Sequence, residues 1–153
     1  MSNLYTPKQI RQVFSSDAAQ LAQIHHACLP TSWSEQEFCE LLTNQNNFCY
    51  ALETNHQIVG FILCNQILDE CEILTLAVLA SHRRQNIAKQ LIEKTYQHAK
   101  AQKVKNIFLE VAENNYAAQN LYKTSGFIQI GLRKNYYIID NQPIAALIMR
   151  YDV

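Results

Sequence analysis

The chain has 153 residues, 48% of them hydrophobic, which suits one domain with a real apolar core. Thirteen basic side chains balance thirteen acidic ones, which argues against the broad positive surface that nucleic-acid binding requires. The longest apolar runs, such as IVGFILC from Ile58 to Cys64, are far too short to cross a bilayer, and the N-terminal stretch MSNLYTPKQIRQVF lacks the apolar centre of a signal peptide. A cytoplasmic protein with neither nucleic-acid nor membrane partners is the expectation.

In chain order, Ser16 or Asp17 is placed to cap a helix through AAQLAQIHHACL, with Leu21, Ile24 and Cys28 on its inner side. Adjacent His25 and His26 point to different sides of that helix and cannot chelate as an i, i+4 pair would. In SWSEQEFCELL, Ser34 and Glu37 fit a capping box and predict a second helix. NFCYALE and QIVGFILCNQI then read as a hairpin broken at Thr54-Asn55-His56, and CEILTLAVL as a third strand.

The segment SHRRQNIAKQLIEKTYQHAK predicts a long helix whose buried face carries Ala88, Leu91, Ile92, Thr95 and Ala99. VKNIFLEV follows as a buried strand, and its alternation puts Glu110 on the face of Phe108, opposite Leu109. NYAAQNLYKTSGF is a helix bearing Ala118, Leu121 and Tyr122, stopped by Gly126 at its C′ position. FIQIGLRKNYYII and PIAALIMRYDV close the chain as an antiparallel pair joined at Asp140-Asn141. The predicted order is α α β β β α β α β β. With three glycines, three prolines and no linker, it describes a single layered α/β (α+β) domain over residues 1–153. Five cysteines at 28, 39, 49, 64 and 71 form no CxxC pair, and no HExxH occurs, so neither a disulfide framework nor a metal is assigned.

The chemistry concentrates where the third strand runs through a basic loop into the long helix. The first amides of a helix have no intrahelical partner, and the dipole favours an anion there. Arg83, Arg84 and Lys89 add charge at the same point. Anion loops usually carry glycine for its access to positive φ. Here Asn86, the next-best residue for that conformation, and Ala88 stand in those places. The segment is compatible with a phosphate cradle without being diagnostic of one; the alternative is a capped surface helix with solvated arginines.

The element order and the string LAVLASHRRQNIAKQLI…IFLEVAENNYAAQNLYKTSGF resemble the GCN5-related N-acetyltransferase (GNAT) superfamily. Its cofactor loop, Q/R-x-x-G-x-G/A, is met by Arg83-Arg84-Gln85-Asn86-Ile87-Ala88 with Asn86 in place of the first glycine. Its N-x-x-A-x-x-L-Y-x-x-x-G-F pattern is matched by Asn115, Ala118, Leu121, Tyr122, Gly126 and Phe127. PTSWSEQEF, LEVAENNYAAQNLY and RKNYY further resemble the RimI subfamily, which acetylates the N-terminal alanine of a small-subunit ribosomal protein.

The resemblance implies a mixed, mostly antiparallel sheet whose central parallel strand pair splays to admit acetyl-CoA. It implies that the backbone of Leu76, Ala77 and Val78 pairs with the pantetheine arm. The amides of Arg84, Gln85, Asn86, Ile87, Ala88 and Lys89 would hold the pyrophosphate, and Asn115 would touch the cofactor arm. Glu110 takes the position of the general base and Tyr122 that of the general acid in a direct attack without an acyl-enzyme. Trp33, Tyr136 and Tyr137 are candidates to line the groove for the substrate's N-terminal segment, with Arg133 orienting it. Glu72 and Glu113 are rival bases without the matching position. Two further classes stay open: transfer to a small amine, and a non-catalytic CoA-binding module. A polyamine enzyme is expected to line its cleft with several carboxylates, and the linear surroundings of Glu110 are not notably acidic.

Overall fold

The computed structural model describes residues 7–153. The leader-peptide reading rests in part on residues 1–6, outside the described residues. The elements are β1 (Gln9–Gln12), α1 (Ala18–Cys28), α2 (Glu35–Thr43), β2 (Asn47–Thr54), β3 (Gln57–Ile67), β4 (Glu70–Val78), α3 (Ile87–Ala101), β5 (Asn106–Ala112), α4 (Tyr116–Thr124), β6 (Ile128–Ile139) and β7 (Gln142–Asp152). The seven strands form one sheet in the order β1-β2-β3-β4-β5-β7-β6, parallel only between β4 and β5. Among the described residues no helix is long and apolar enough to cross a membrane.

Local chemistry explains most boundaries. Ser34 Oγ accepts the Glu37 N–H at 3.1 Å while Glu37 Oε2 accepts the Ser34 N–H at 2.7 Å, the reciprocal cap expected of α2. Asn55 and His56, and again Asp140 and Asn141, are consecutive positive-φ pairs, as two-residue hairpin turns require. At the end of α4, Gly126 at φ 99° lets its N–H reach the Lys123 carbonyl and the Phe127 N–H reach that of Tyr122.

Three expectations are corrected. A short edge strand, β1, precedes the helices; its four residues QIRQ show no apolar alternation, and it exists because β2 offers it a partner. Asp17 does not cap α1 through its side chain. Its carboxylate instead accepts the Phe14 N–H and a two-pronged ion pair from Arg11, at 2.9 and 3.0 Å, so α1 is entered through a 3₁₀ turn at Ser15–Asp17. The buried face of α3 also begins one residue early, at Ile87, with Ala88 only half-buried.

Two apolar layers sandwich the sheet. One joins Ile73, Leu109 and Val111 to Ile87, Leu91 and Ile92 of α3 and Tyr122 of α4. The other joins Phe61, Leu63 and Ala77 to Leu21 and Ile24 of α1 and Phe38 of α2. In β4 the pairing with β3 jumps from Ile73↔Cys64 to Thr75↔Leu63, leaving Leu74 as a bulge. Before it, Cys71 and Ile73 face α3; after it, Thr75 and Ala77 face α1. A bulge bends and twists its strand, and here the parallel pairing with β5 ends at Glu72↔Phe108, just before it. Beyond that point β4 and β5 diverge. Gly60 lies opposite Val78 where a side chain would be crowded: a Cβ there would stand 3.1 Å from the Ala77 carbonyl oxygen and 3.2 Å from Ile87.

Candidate active site

Two sets of groups flank the divergence. On the α3 side, the open strand runs through Leu76, Ala77 and Val78 into a loop with Arg84 at φ 61° and Asn86 at φ 64°. Asn86 occupies the N-cap in the left-handed conformation that glycine would take. The amides of Arg84, Gln85 and Asn86 find no partner among the described residues, and those of Ile87, Ala88 and Lys89 are the orphan donors that begin a helix. Successive free amides in such a turn form an anion-binding concavity. The Arg83 guanidinium folds back on the Val78 carbonyl at 3.4 Å, and Lys8 joins the cluster by donating to Gln85 Oε1 at 2.7 Å. A pyrophosphate fits this donor set. Positive φ at Arg84 was not anticipated; nothing in the residue type signals it.

On the α2 side lies a cleft of about 620 Å³ lined by Trp33, Glu37, Glu40, Leu41, Asn44, Glu72, Ile73, Leu74, Glu110, Tyr136 and Tyr137. Of the predicted acceptor-side residues, Trp33, Glu110, Tyr136 and Tyr137 are in that lining, while Arg133 and Tyr122 are not. Glu110 projects from β5 with its side chain 18% exposed, and its Oε1 forms an ion pair with Arg133 Nη2 at 3.0 Å. The same guanidinium stands over the Tyr136 ring, 4.8 Å from its centroid. Tyr136 and Tyr137 are consecutive, yet both face the cleft. Between Arg133↔Ala146 and Tyr137↔Ile144 the strand β6 carries more residues than β7, which breaks the two-residue alternation.

Tyr122 lies on the other side of the sheet, under the divergence, 8% exposed and edge-on to Phe127. Burial pushes its hydroxyl above the ordinary phenol range, with Cys64 and Tyr137 adding to the effect. Tyr137 is raised too, first by burial, then by Tyr136 and Glu110. Tyr137 is thus near both Glu110 and Tyr122. Asn115 uses its Oδ1 to cap α4, accepting the Ala118 N–H at 3.2 Å, which leaves its amide NH₂ for other partners.

The expectation that the surroundings of Glu110 are not acidic is overturned. Glu37 and Glu40 come from α2 and Glu72 from β4, so four carboxylates share the cleft. Glu37, Glu40, Leu41 and Asn44 lie at i, i+3, i+4 and i+7, a spacing that puts them on one helix face. That spacing was visible in the sequence; the wall it faces was not. Glu72 titrates above the usual carboxylate range because it is desolvated and stands near Glu110, an effect Arg133 opposes. Glu113, the other rival base, accepts the Ala145 N–H at 3.2 Å and serves the loop after β5.

Comparison with known proteins gives a consistent answer. The profile of the Acetyltransferase (GNAT) family matches residues 18–127. The [ribosomal protein bS18]-alanine N-acetyltransferase of Haemophilus ducreyi is 34% identical over 132 residues, 84% of this chain and 88% of that one. The crystal structure of the ribosomal-protein-S18-alanine N-acetyltransferase from Escherichia coli superposes with TM-score 0.91 at 25% identity, covering 96% of this chain and 94% of that one. Arabidopsis thaliana NAA60 in complex with acetyl-CoA shares the fold, with TM-score 0.86 at 22% identity over 96% of this chain and 99% of that one.

Proposed function

Because the chain belongs to the acetyltransferase (GNAT) family, we propose that it moves the acetyl group of acetyl-CoA to the N-terminal α-amine of a protein, an alanine of a small-subunit ribosomal protein. The observation that carries this reading is the placing of two unlike sites at the ends of one strand divergence. A cradle of free amides lies on one side and a carboxylate-lined cleft with aromatic walls on the other. The bS18-alanine specificity in the names of the similar proteins supports the acceptor, and the cytoplasm is where such a substrate is made. The whole chain, 1–153, acts as one domain in this reading.

The geometry supports the following assignment of roles. The edge of Leu76–Val78 that β5 leaves unpaired takes the pantetheine arm as an added strand, and the amides from Arg84 to Lys89 hold the pyrophosphate. The Asn115 NH₂ reaches the arm. Glu110, held in place by Arg133, takes a proton from the acceptor ammonium, directly or through a water. An α-amine titrates near 7.7–8.0, so that transfer is cheap at neutral pH. The freed amine attacks the thioester carbon; the C–N bond forms as the C–S bond breaks. Tyr122, protonated because it is buried, gives its proton to the departing thiolate and is restored by the second proton that the nitrogen sheds as the amide forms, while Glu110 releases its own to solvent. Trp33, Tyr136 and Tyr137 flank the peptide.

A second reading, transfer to a polyamine or another small amine, is favoured by the four glutamates of the cleft. Mass spectrometry of a peptide panel with acetyl-CoA decides between them: a free N-terminal Ala peptide, the same peptide blocked, a Lys-only peptide and spermidine. Acetylation confined to the free Ala peptide supports the proposal. Transfer to spermidine or lysine overturns the acceptor while keeping the fold.

A further inference from the structure

His25 is 2% exposed near the end of α1, and the mechanism above makes no use of it. Both of its ring nitrogens are engaged. The Trp33 backbone N–H donates to Nδ1 at 3.0 Å, and Nε2 lies 3.1 Å from the Thr75 hydroxyl oxygen. An amide N–H can only donate, so Nδ1 must accept, and the neutral ring therefore carries its proton on Nε2 and donates it to Thr75. The Trp33 indole stacks on the imidazole with centroids 4.8 Å apart and planes 22° apart. One ring thus joins a wall of the acceptor cleft to β4, at the residue between the Leu74 bulge and the open segment Leu76–Val78.

We propose that His25 is a positioning residue for acetyl transfer: in its neutral Nε2–H form it holds Trp33 against the acceptor cleft and ties that wall to the cofactor strand. This rests on the reading of Trp33 as part of the acceptor groove. A second proton would place an N–H on Nδ1 facing the Trp33 N–H, donor against donor, and release the wall. Nothing around the ring would compensate. It is faced by Trp33 from the α1–α2 loop, Phe38 from α2, Phe61 from β3 and Thr75 from β4, none of which carries charge. On α1 itself, His26 is exposed and bonded to Ser32, and the Cys28 thiol donates to the Val78 carbonyl. Burial accordingly shifts the ring below its ordinary value, so the neutral form holds at physiological pH and is lost only on acidification.

The test compares steady-state kinetics of the wild type, His25→Phe, His25→Gln and Trp33→Ala on an N-terminal Ala peptide, across about pH 4.5 to 8, a range carried below that of an ordinary histidine because burial shifts His25 down. Acetyl-CoA titration of each variant checks that the cofactor half is intact. His25→Phe keeps the ring and loses both hydrogen bonds; it should raise the acceptor KM about tenfold and leave the acetyl-CoA KM within about twofold. His25→Gln can accept from Trp33 and donate to Thr75 without titrating, so it should match the wild type near neutrality. The acceptor amine also titrates, but identically in both proteins. The ratio of acceptor KM, wild type over His25→Gln, should therefore climb as pH falls. If Trp33→Ala weakens the acceptor while His25→Phe does not, the positioning role is wrong and the groove reading stands. If Trp33→Ala has no effect on acceptor KM, the groove reading falls and takes the proposal with it. Should His25→Phe fail to fold, a flat wild type to His25→Gln ratio overturns the proposal by itself.

Discussion

From Leu76 to Lys89 the groups offered to a ligand belong to the backbone: an unpaired strand edge and a run of free amides in a loop with two left-handed residues. From Trp33 to Asn44, and at Glu72, Glu110 and Arg133 to Tyr137, they are side chains. The difference sets what each half tolerates. A backbone site depends on φ, which Asn86 supplies in place of a glycine at modest cost. A side-chain site depends on where particular oxygens and rings stand, so single substitutions strike its chemistry directly.

The largest break should come from Glu110→Gln, which removes the proposed base and leaves the amide cradle alone. It should lower kcat roughly 10³-fold in a peptide acetylation assay, within the range for losing a general base, with acetyl-CoA affinity by calorimetry unchanged. A parallel fall in cofactor affinity would erase the distinction between the halves. Tyr122→Phe should lower kcat about a hundredfold, again without weakening acetyl-CoA. The loop variants act on the other half. Asn86→Gly should bind acetyl-CoA at least as tightly as the parent. Asn86→Val, a β-branched residue at φ 64°, should bind about tenfold more weakly because it carries the strain of a left-handed conformation. Weaker binding by Asn86→Gly would mean that the Asn86 side chain makes a contact of its own.

Glu72→Gln should have the smallest effect, and on stability. The folded state binds the Glu72 proton more tightly than the unfolded chain, so the ionised form costs stability at neutral pH and the cost disappears as pH falls through the raised pKa. The Gln variant should therefore melt higher than the parent near neutrality, with the gap closing on acidification. A gap that widened instead would mean that Glu72 gains from Arg133 more than it loses to burial and Glu110.

Features held by neighbours in the chain were legible before any coordinates. The Ser34–Glu37 cap, the paired positive-φ turns and the Gly126 stop each depend on a few consecutive residues, and each stands where expected. The alternation that put Glu110 opposite Leu109 held for the same reason. The short strand β1 was illegible because edge pairing with β2, not apolar periodicity, makes it a strand. Asp17 was misread because Arg11 and Phe14 compete for the carboxylate that would have capped α1.

Sequence alone thus determined much of the local geometry of this protein, including the left-handed position at Asn86 and the strand that presents Glu110, but not the positive φ at Arg84. Only the tertiary structure decided the make-up of the carboxylate-lined cleft. Leu74 bulges and β4 parts from β5; β6 gains residues against β7 and turns two adjacent tyrosines the same way; and α2 brings Glu37 and Glu40 across to Glu72 and Glu110. Short-range hydrogen bonds and side-chain period are written into consecutive residues. The meeting of residues some seventy positions apart depends on how sheet and helices pack, and no single segment carries that information.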